Sequence, residues 1–377
     1  MTDSPLWARP APVPRQPLPA AADVVIVGGG ITGVSLLHHL RGRARVVLVE
    51  REHLAFGASG RNAGFLLEGT AANFAAAVIL HGLARTAEIW SFTQETHRRL
   101  AAVLDGRASY RRRGSWTLAA SAEEALQLED SAALMAAADL PVEFVEALPA
   151  PLEGFAAGLR NERDGEIDPA AVVGLLAASG EVHEGCAVTA IAAGQSGVIV
   201  ATTRGEIRTG VAILATNAYT AQLFGEVPIL PVRAQVLATE PEPTSVADRP
   251  AYADFGYQYW RQLADGRVLV GGYRDRAITE EAGYELATTP TVQRHLEAHL
   301  RMLGVNAPVS HRWAGIMGFT ADSLPLVGWL PGHPGIAVCA GYTGHGWAFA
   351  FHAAERLAEM VRGGRRPPEW MEPARFA

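Results

Sequence analysis

Val24 to Val27 are apolar without a break and stop at Gly28-Gly29-Gly30, the pattern of a strand buried on both faces. Ile31, Val34, Leu37 and Leu40 then recur every three residues, which is one face of a helix. Val46 to Val49 repeats the buried-strand pattern and ends at Glu50. Stretches 81–104 and 122–138, rich in Ala, Leu, Glu and Arg, predict helices. Pro169 to Ala178 predicts another, with Asp168 as N-cap and a proline at the first helical position. From Cys186 the pattern alternates in short strands as far as the apolar run Val211 to Ala215. Residues 231–239 and 252–273 read as strands, with Asp265-Gly266 as a hairpin turn. Val292 to Leu303 is helical in pattern, and Gly335 to Ala340 is a last buried strand. A glycine-rich turn and a closing helix from Trp347 to Val361 follow.

The α/β elements therefore stand at both ends and in the middle of the chain, with a β-rich block between them. This predicts an α/β fold with a discontinuous Rossmann-like nucleotide-binding domain and an inserted α+β substrate domain built on an antiparallel sheet. The boundaries drawn from the pattern are an extended N-terminal arm over 1–21, nucleotide-binding segments 22–80, 155–225 and 310–377, and substrate-domain segments 81–154 and 226–309.

At 377 residues the chain is long for one core, which agrees with two packed domains. A formal charge of −7 argues against a nucleic-acid partner. The short basic run Arg111 to Arg113 reads as a pocket rim or a solvated edge. Two cysteines in unrelated contexts, Cys186 and Cys339, exclude a disulfide framework and a cysteine zinc site and fit a reducing cytoplasm. No apolar run is long enough for a transmembrane helix, and the proline-rich arm lacks the apolar segment of a signal peptide. The sequence has no lysine.

Gly28-Gly29-Gly30-Ile31-Thr32-Gly33 carries Gly-x-Gly-x-x-Gly between a strand and a helix. The first glycine makes the turn, the second admits a pyrophosphate, and the third lets helix and strand approach, while the helix N-terminus supplies N–H groups. Glu50, with Arg51 beside it, ends the second strand, where a carboxylate accepts from the ribose hydroxyls of an adenosine. That acid would repel a 2′-phosphate and so excludes NADP. Instead of a third βα unit, the chain continues into Phe56-Gly57-Ala58-Ser59-Gly60-Arg61-Asn62-Ala63-Gly64, a small-residue loop suited to a long extended ligand. FAD is the dinucleotide this favours.

These residues resemble the FAD-dependent oxidases of the D-amino-acid oxidase superfamily, which includes glycine, sarcosine and γ-glutamylputrescine oxidases. The resemblance spans roughly residues 22–365. It rests on the glycine motif with Glu50, the loop Gly57 to Gly64, the strand end Ala212 to Asn217, the segment Trp313 to Gly328, and Gly341-Tyr342-Thr343-Gly344-His345-Gly346. The second and last of these most resemble the γ-glutamylputrescine oxidase branch. The resemblance implies that Ser59, Gly60, Arg61, Asn62, Ala63 and Gly64 pass the diphosphate and reach the flavin ring. It puts adenine at Val188, Thr216 and Asn217 over the nucleotide, and Gly341 to Gly346 at the flavin N1–C2=O edge. Phe65, Tyr257, Tyr259, Arg274, Met317, Tyr342 and Trp347 become substrate-pocket residues, and Tyr259, Arg274, Met317 and His345 the candidates that touch the reacting groups.

The departures matter as much. Gly315 stands where some relatives tether the flavin through cysteine, and Arg61-Asn62 where others use histidine, so FAD should be non-covalent. Met317 stands where glycine oxidase-like members place a carboxylate-binding arginine. Val270 aligns with the lysine that assists reaction with oxygen in sarcosine oxidase-like members. The favoured expectation is oxidation of an amine lacking an α-carboxylate to an imine and hydrogen peroxide. An amino-acid oxidase, a dehydrogenase passing electrons to a quinone or carrier protein, and a subunit whose flavin is structural are the alternatives.

Overall fold

A computed structural model describes residues 4–107, 110–178, 180–194 and 197–376. The first three residues of the arm lie outside these. Val24 to Val27 belong to a strand, Ala21–Val27, at the centre of a sheet ordered Leu326–Trp329, Ile336–Ala340, Gly205–Leu214, Ala21–Val27, Val46–Val49 and Glu181–His183. All neighbours pair in parallel except Leu326–Trp329, which runs antiparallel to Ile336–Ala340. Alternate side chains explain the unbroken apolar runs. Val24 and Ile26 face a layer of helices, whereas Val25 and Val27 face an antiparallel meander of Val188–Gly194 and Gly197–Thr202. The helical layer holds Ile31–Leu40 against the closing helix Gly346–Val361 and against Pro169–Ala177, which Asp168 caps as expected.

The second sheet is ordered Val309–Phe319, Leu230–Pro241, Arg267–Gly272, Gln258–Gln262, Ala251–Ala253, Ser115–Ala119, Ala157–Asn161 and Glu143–Val145. It is antiparallel apart from the pairing of Ala251–Ala253 with Ser115–Ala119. Two of its strands, Ala157–Asn161 and all of Val309–Phe319 after its first residue, fall in segments that the sequence pattern assigns to the nucleotide-binding part. Pairing across the sheet decides this, and it is invisible in local pattern. The helix expected from residue 81 begins at Leu83, because Gly82 with φ 76° ends the preceding turn of Phe74–His81. Among the described residues, no helix is long and apolar enough to cross a membrane.

A buried polar hub ties the loop after Phe65–Leu66 to its surroundings. Glu68 accepts from Arg163, Gln94 and Asn161, while Asp164 accepts from the Glu68 N–H and the Ser115 hydroxyl. His97 brings a ring nitrogen within 4.8 Å of both carboxylates. Burial, with the charge of Glu68 second, pushes Asp164 up to about 8. With the Glu68 oxygens already taken by a guanidinium and two amides, the hub is a structural anchor of the Leu67–Ala71 stretch.

Candidate active site

Four parallel strands end at one edge of the first sheet, and the residues after them, Gly28, Glu50, Ala215 and Gly341, gather there. In an open parallel sheet this is where ligands bind. A long cleft, about 2070 Å³ of empty space partly open to solvent, runs from this edge to the second sheet. Its walls include Gly28, Gly30, Ile31, Thr32, Glu50, Arg51, Ser59, Arg61, Asn62, Ala63, Val188, Thr216, Asn217, Tyr342, Thr343, Gly344, His345 and Gly346.

Gly33, Gly60, Gly64 and Gly341 do not line the cleft and act through packing. A Cβ on Gly33 would meet the Gly28 carbonyl oxygen at 1.9 Å, so only glycine lets the helix approach the strand here. The Gly29 N–H donates to Glu50 Oε2 at 2.6 Å and the Glu52 N–H to Oε1 at 2.9 Å. Burial raises the pKa of this carboxyl, opposed by those two donors. Among the described residues, Gly30 and Thr32 keep their N–H groups free of partners, and Ser59 Oγ lies over this turn, accepting from Ile31 N–H at 2.9 Å. An acid at the strand end, free N–H groups at a helix start and a close glycine cradle fit a dinucleotide.

At the far turn, three of the expected N–H donors are used internally. Gly341 donates to Asn217 Oδ1, Thr343 to the Gly318 carbonyl and His345 to that of Tyr342. The N–H groups of Gly346 and Trp347, in the first turn of the closing helix, have no backbone partner among the described residues. Tyr342 locks this turn to the glycine helix, its hydroxyl 2.9 Å from Thr32 Oγ1 and 3.3 Å from Cys339 Sγ.

Toward the second sheet the cleft widens into a cavity walled by Phe65, Tyr252, Tyr259, Met317, Phe319, His345 and Trp347. Phe65 packs edge-on against Tyr252 and Tyr259, whose centroids lie at 5.3 and 5.9 Å, and His345 stacks on Tyr252 at 6.2 Å. Burial pushes Tyr259 up to about 12, raises Tyr252 further, and lowers His345 to about 4. Arg274 reaches the same cavity and makes no hydrogen bond or ion pair with any described residue. Its guanidinium carbon lies 4.4 Å from the ring centre of Tyr257 and 5.7 Å from that of Phe319. Tyr257 does not line the cavity; it lies behind Arg274.

Val270 does not line the cleft. It is fully buried in the core that holds Trp116, Leu237 and Trp260, and its neighbour Gly271 is the position facing Tyr259. A one-residue shift in a strand exchanges faces. Tyr252 and Phe319 were not singled out by sequence. Tyr252 pairs directly with Tyr259 across a hairpin, so the register of that hairpin is the signal that could have found it.

The family profile "DAO: FAD dependent oxidoreductase" matches residues 23–360. The chain belongs to this family. It is 30% identical to the glycine oxidase of Pseudomonas aeruginosa over 52% of its own length, and spans about half (53%) of that relative. It is 26% identical to the γ-glutamylputrescine oxidoreductase of Escherichia coli, covering 90% of this chain and 84% of that one. The L-proline dehydrogenase of P. horikoshii superposes with a TM-score of 0.79 at 22% identity, covering 95% of this chain and 98% of the other. The family is described as FAD-dependent, and the acid at the strand end, the N–H groups at the helix start and the glycine cradle are features such a cofactor can use.

Proposed function

We propose that this DAO-family protein oxidises the C–N bond of an amine that also carries a carboxylate, an amino acid or an amino-acid derivative. The observation that carries the reading is Arg274, a guanidinium against two aromatic rings with no counter-ion among the described residues. A buried carboxylate needs such a partner, and a planar fork receives it best. The sequence expectation of a plain amine rests on Met317. That thioether does line the cavity, but Arg274 enters from another strand end and supplies the cation that Met317 lacks.

Bound FAD supplies the hydride acceptor, its N5, for the hydrogen on the carbon that bears the amine. The chain's own residues bind and orient. Arg274 fixes the carboxylate, which sets where the amine-bearing carbon lies. Met317, Phe65 and Phe319 exclude water around it. An apolar cavity already holding one cation disfavours an ammonium, so the amine reacts in its neutral form. A ring nitrogen of neutral His345 can accept from the amine N–H, and the Tyr252 and Tyr259 hydroxyls remain protonated donors.

This assignment predicts the pH profile. His345 loses its proton near 4 and the two tyrosines hold theirs to about 12 or beyond, so none of the three changes charge between about pH 5 and 9. The kcat/KM should rise with pH along one limb, set by the substrate's own amine, and shift when a substrate of different amine pKa is used. A descending limb that stays at one pH for every substrate would point to an essential acid in the cavity. Non-covalent FAD is expected as well. A Cβ at Gly315 would meet Arg61 Cβ at 2.9 Å, and no cysteine or histidine stands at either tethering position. Acid precipitation should leave all flavin in the supernatant as FAD.

The deciding experiment is anaerobic mixing of the yellow holoprotein with matched pairs, such as sarcosine with dimethylamine and glycine with methylamine, following loss of flavin absorbance. Faster bleaching by the plain amine of every pair would overturn the carboxylate reading. Hydrogen peroxide on admitting air would identify oxygen as the acceptor. Turnover only with an added dye or quinone would identify a dehydrogenase.

A further inference from the structure

The proline-rich arm before the first strand is not used by the oxidation chemistry, yet it lies against the cofactor cleft. The loop on the flavin side, Ala58 to Gly64, presents two consecutive carbonyls to residues that do not line the cleft. Trp313 Nε1 donates to the Arg61 carbonyl at 2.8 Å, and Trp7 Nε1, from the arm, donates to the Asn62 carbonyl at 2.8 Å. In a trans peptide the carbonyl and the following N–H point in opposite directions. Holding these two carbonyls away from the cleft therefore turns the N–H groups of Asn62 and Ala63 toward it. Both residues line the cleft, and neither N–H has a partner among the described residues. Phe65, two residues beyond Ala63, is already in the substrate cavity, so this is the flavin-ring end.

Trp7 is itself fixed. Arg261 lies 5.1 Å from its ring centre and donates to the carbonyls of Gly64 at 2.9 Å and Ile167 at 3.1 Å. Leu6 and Trp7 pack on Val236, Ala238, Leu269 and Trp313 of the second sheet. Farther along, the Val13 N–H donates to Glu184, whose other oxygen accepts from the Leu54 N–H at 2.7 Å. Arg204 then donates to the Gln16 carbonyl at 2.6 Å, beside the adenosine end of the cleft.

The geometry points to the arm as a working part of the cofactor site, with Trp7 a positioning residue that, paired with Trp313, aims the Asn62 and Ala63 N–H groups at an acceptor on the flavin ring. Two donors there favour the extra electron density of the reduced ring, and this sets the test apart from simple packing. Trp7→Phe keeps a ring over Arg261 and removes only the N–H. With full-length apoprotein, titration with FAD should show binding weakened about tenfold, the size expected for one lost hydrogen bond and a loosened donor pair. The flavin midpoint potential should become more negative, while the melting temperature of the apoprotein stays the same. Trp313→Phe, acting on the neighbouring carbonyl, should move the potential in the same direction. An unchanged FAD affinity and potential in Trp7→Phe would overturn the proposal. So would an apoprotein melting temperature that falls as far as that of the holoprotein, since Trp7 would then be ordinary packing.

Discussion

Arg274→Met is expected to lower kcat/KM for a carboxylate-bearing amine by about a thousandfold and to leave a plain amine within a few-fold. Methionine has a similar reach and can rest against Tyr257 and Phe319, so the variant removes the charge with little change of volume. In the native protein those two rings hold the guanidinium by their faces, at 4.4 and 5.7 Å, and leave its N–H fork unspent. A carboxylate entering the variant cavity would lose its water and gain no cation, which costs on the order of 3–5 kcal/mol for a broken buried pair. Flavin content and melting temperature should not change, because Arg274 makes no hydrogen bond among the described residues that ties elements together. Steady-state kinetics on a matched pair of substrates checks this. An equal loss for both members would mean that Arg274 shapes the cavity without recognising the acid.

Glu50→Arg is expected to leave the purified protein with less than about a tenth of its FAD. The native carboxylate holds the glycine turn through Gly29 and its own following turn through Glu52, at 2.6 and 2.9 Å. Its remaining lone pairs face the cleft. The substitution deletes two charge-assisted hydrogen bonds, each about 1.5–3 kcal/mol, together with the expected ribose acceptor. It also puts a cation where the resemblance and the geometry provide no phosphate. The second sheet packs around its own core of Trp116, Leu237, Trp260 and Val292, remote from this turn, and near-UV circular dichroism should show it intact. The readout is flavin absorbance per mole of protein. Full flavin content would remove Glu50 from the cofactor site.

The cofactor half of the site was legible in the sequence because its determinants are local. A strand buried on both faces must be apolar throughout, and Val24 to Val27 announce it. The turn after it brings the Gly28 carbonyl oxygen to 1.9 Å from where a Cβ on Gly33 would stand, and only glycine at 33 permits that. Glu50 follows the next strand by simple succession, and Asp168-Pro169 marks a helix start from two adjacent residues. The substrate half depended on which face of a strand meets the flavin, and parity along a strand is set by pairing partners far away in sequence. Val270 points into the core of the second sheet, whereas its neighbour Gly271 faces Tyr259. Tyr252 was missed because its place follows from hairpin register. Ala157–Asn161 and Val309–Phe319 join the second sheet through partners far away in sequence, Ser115 opposite Asn161 and Leu230 opposite Phe319. Whether Arg274 is free or paired, and whether Trp7 touches the flavin loop or solvent, are facts about neighbours brought together from distant segments. No pattern in a single stretch of chain encodes them, because hydrogen-bond and charge partners are settled only when the two sheets and the arm pack.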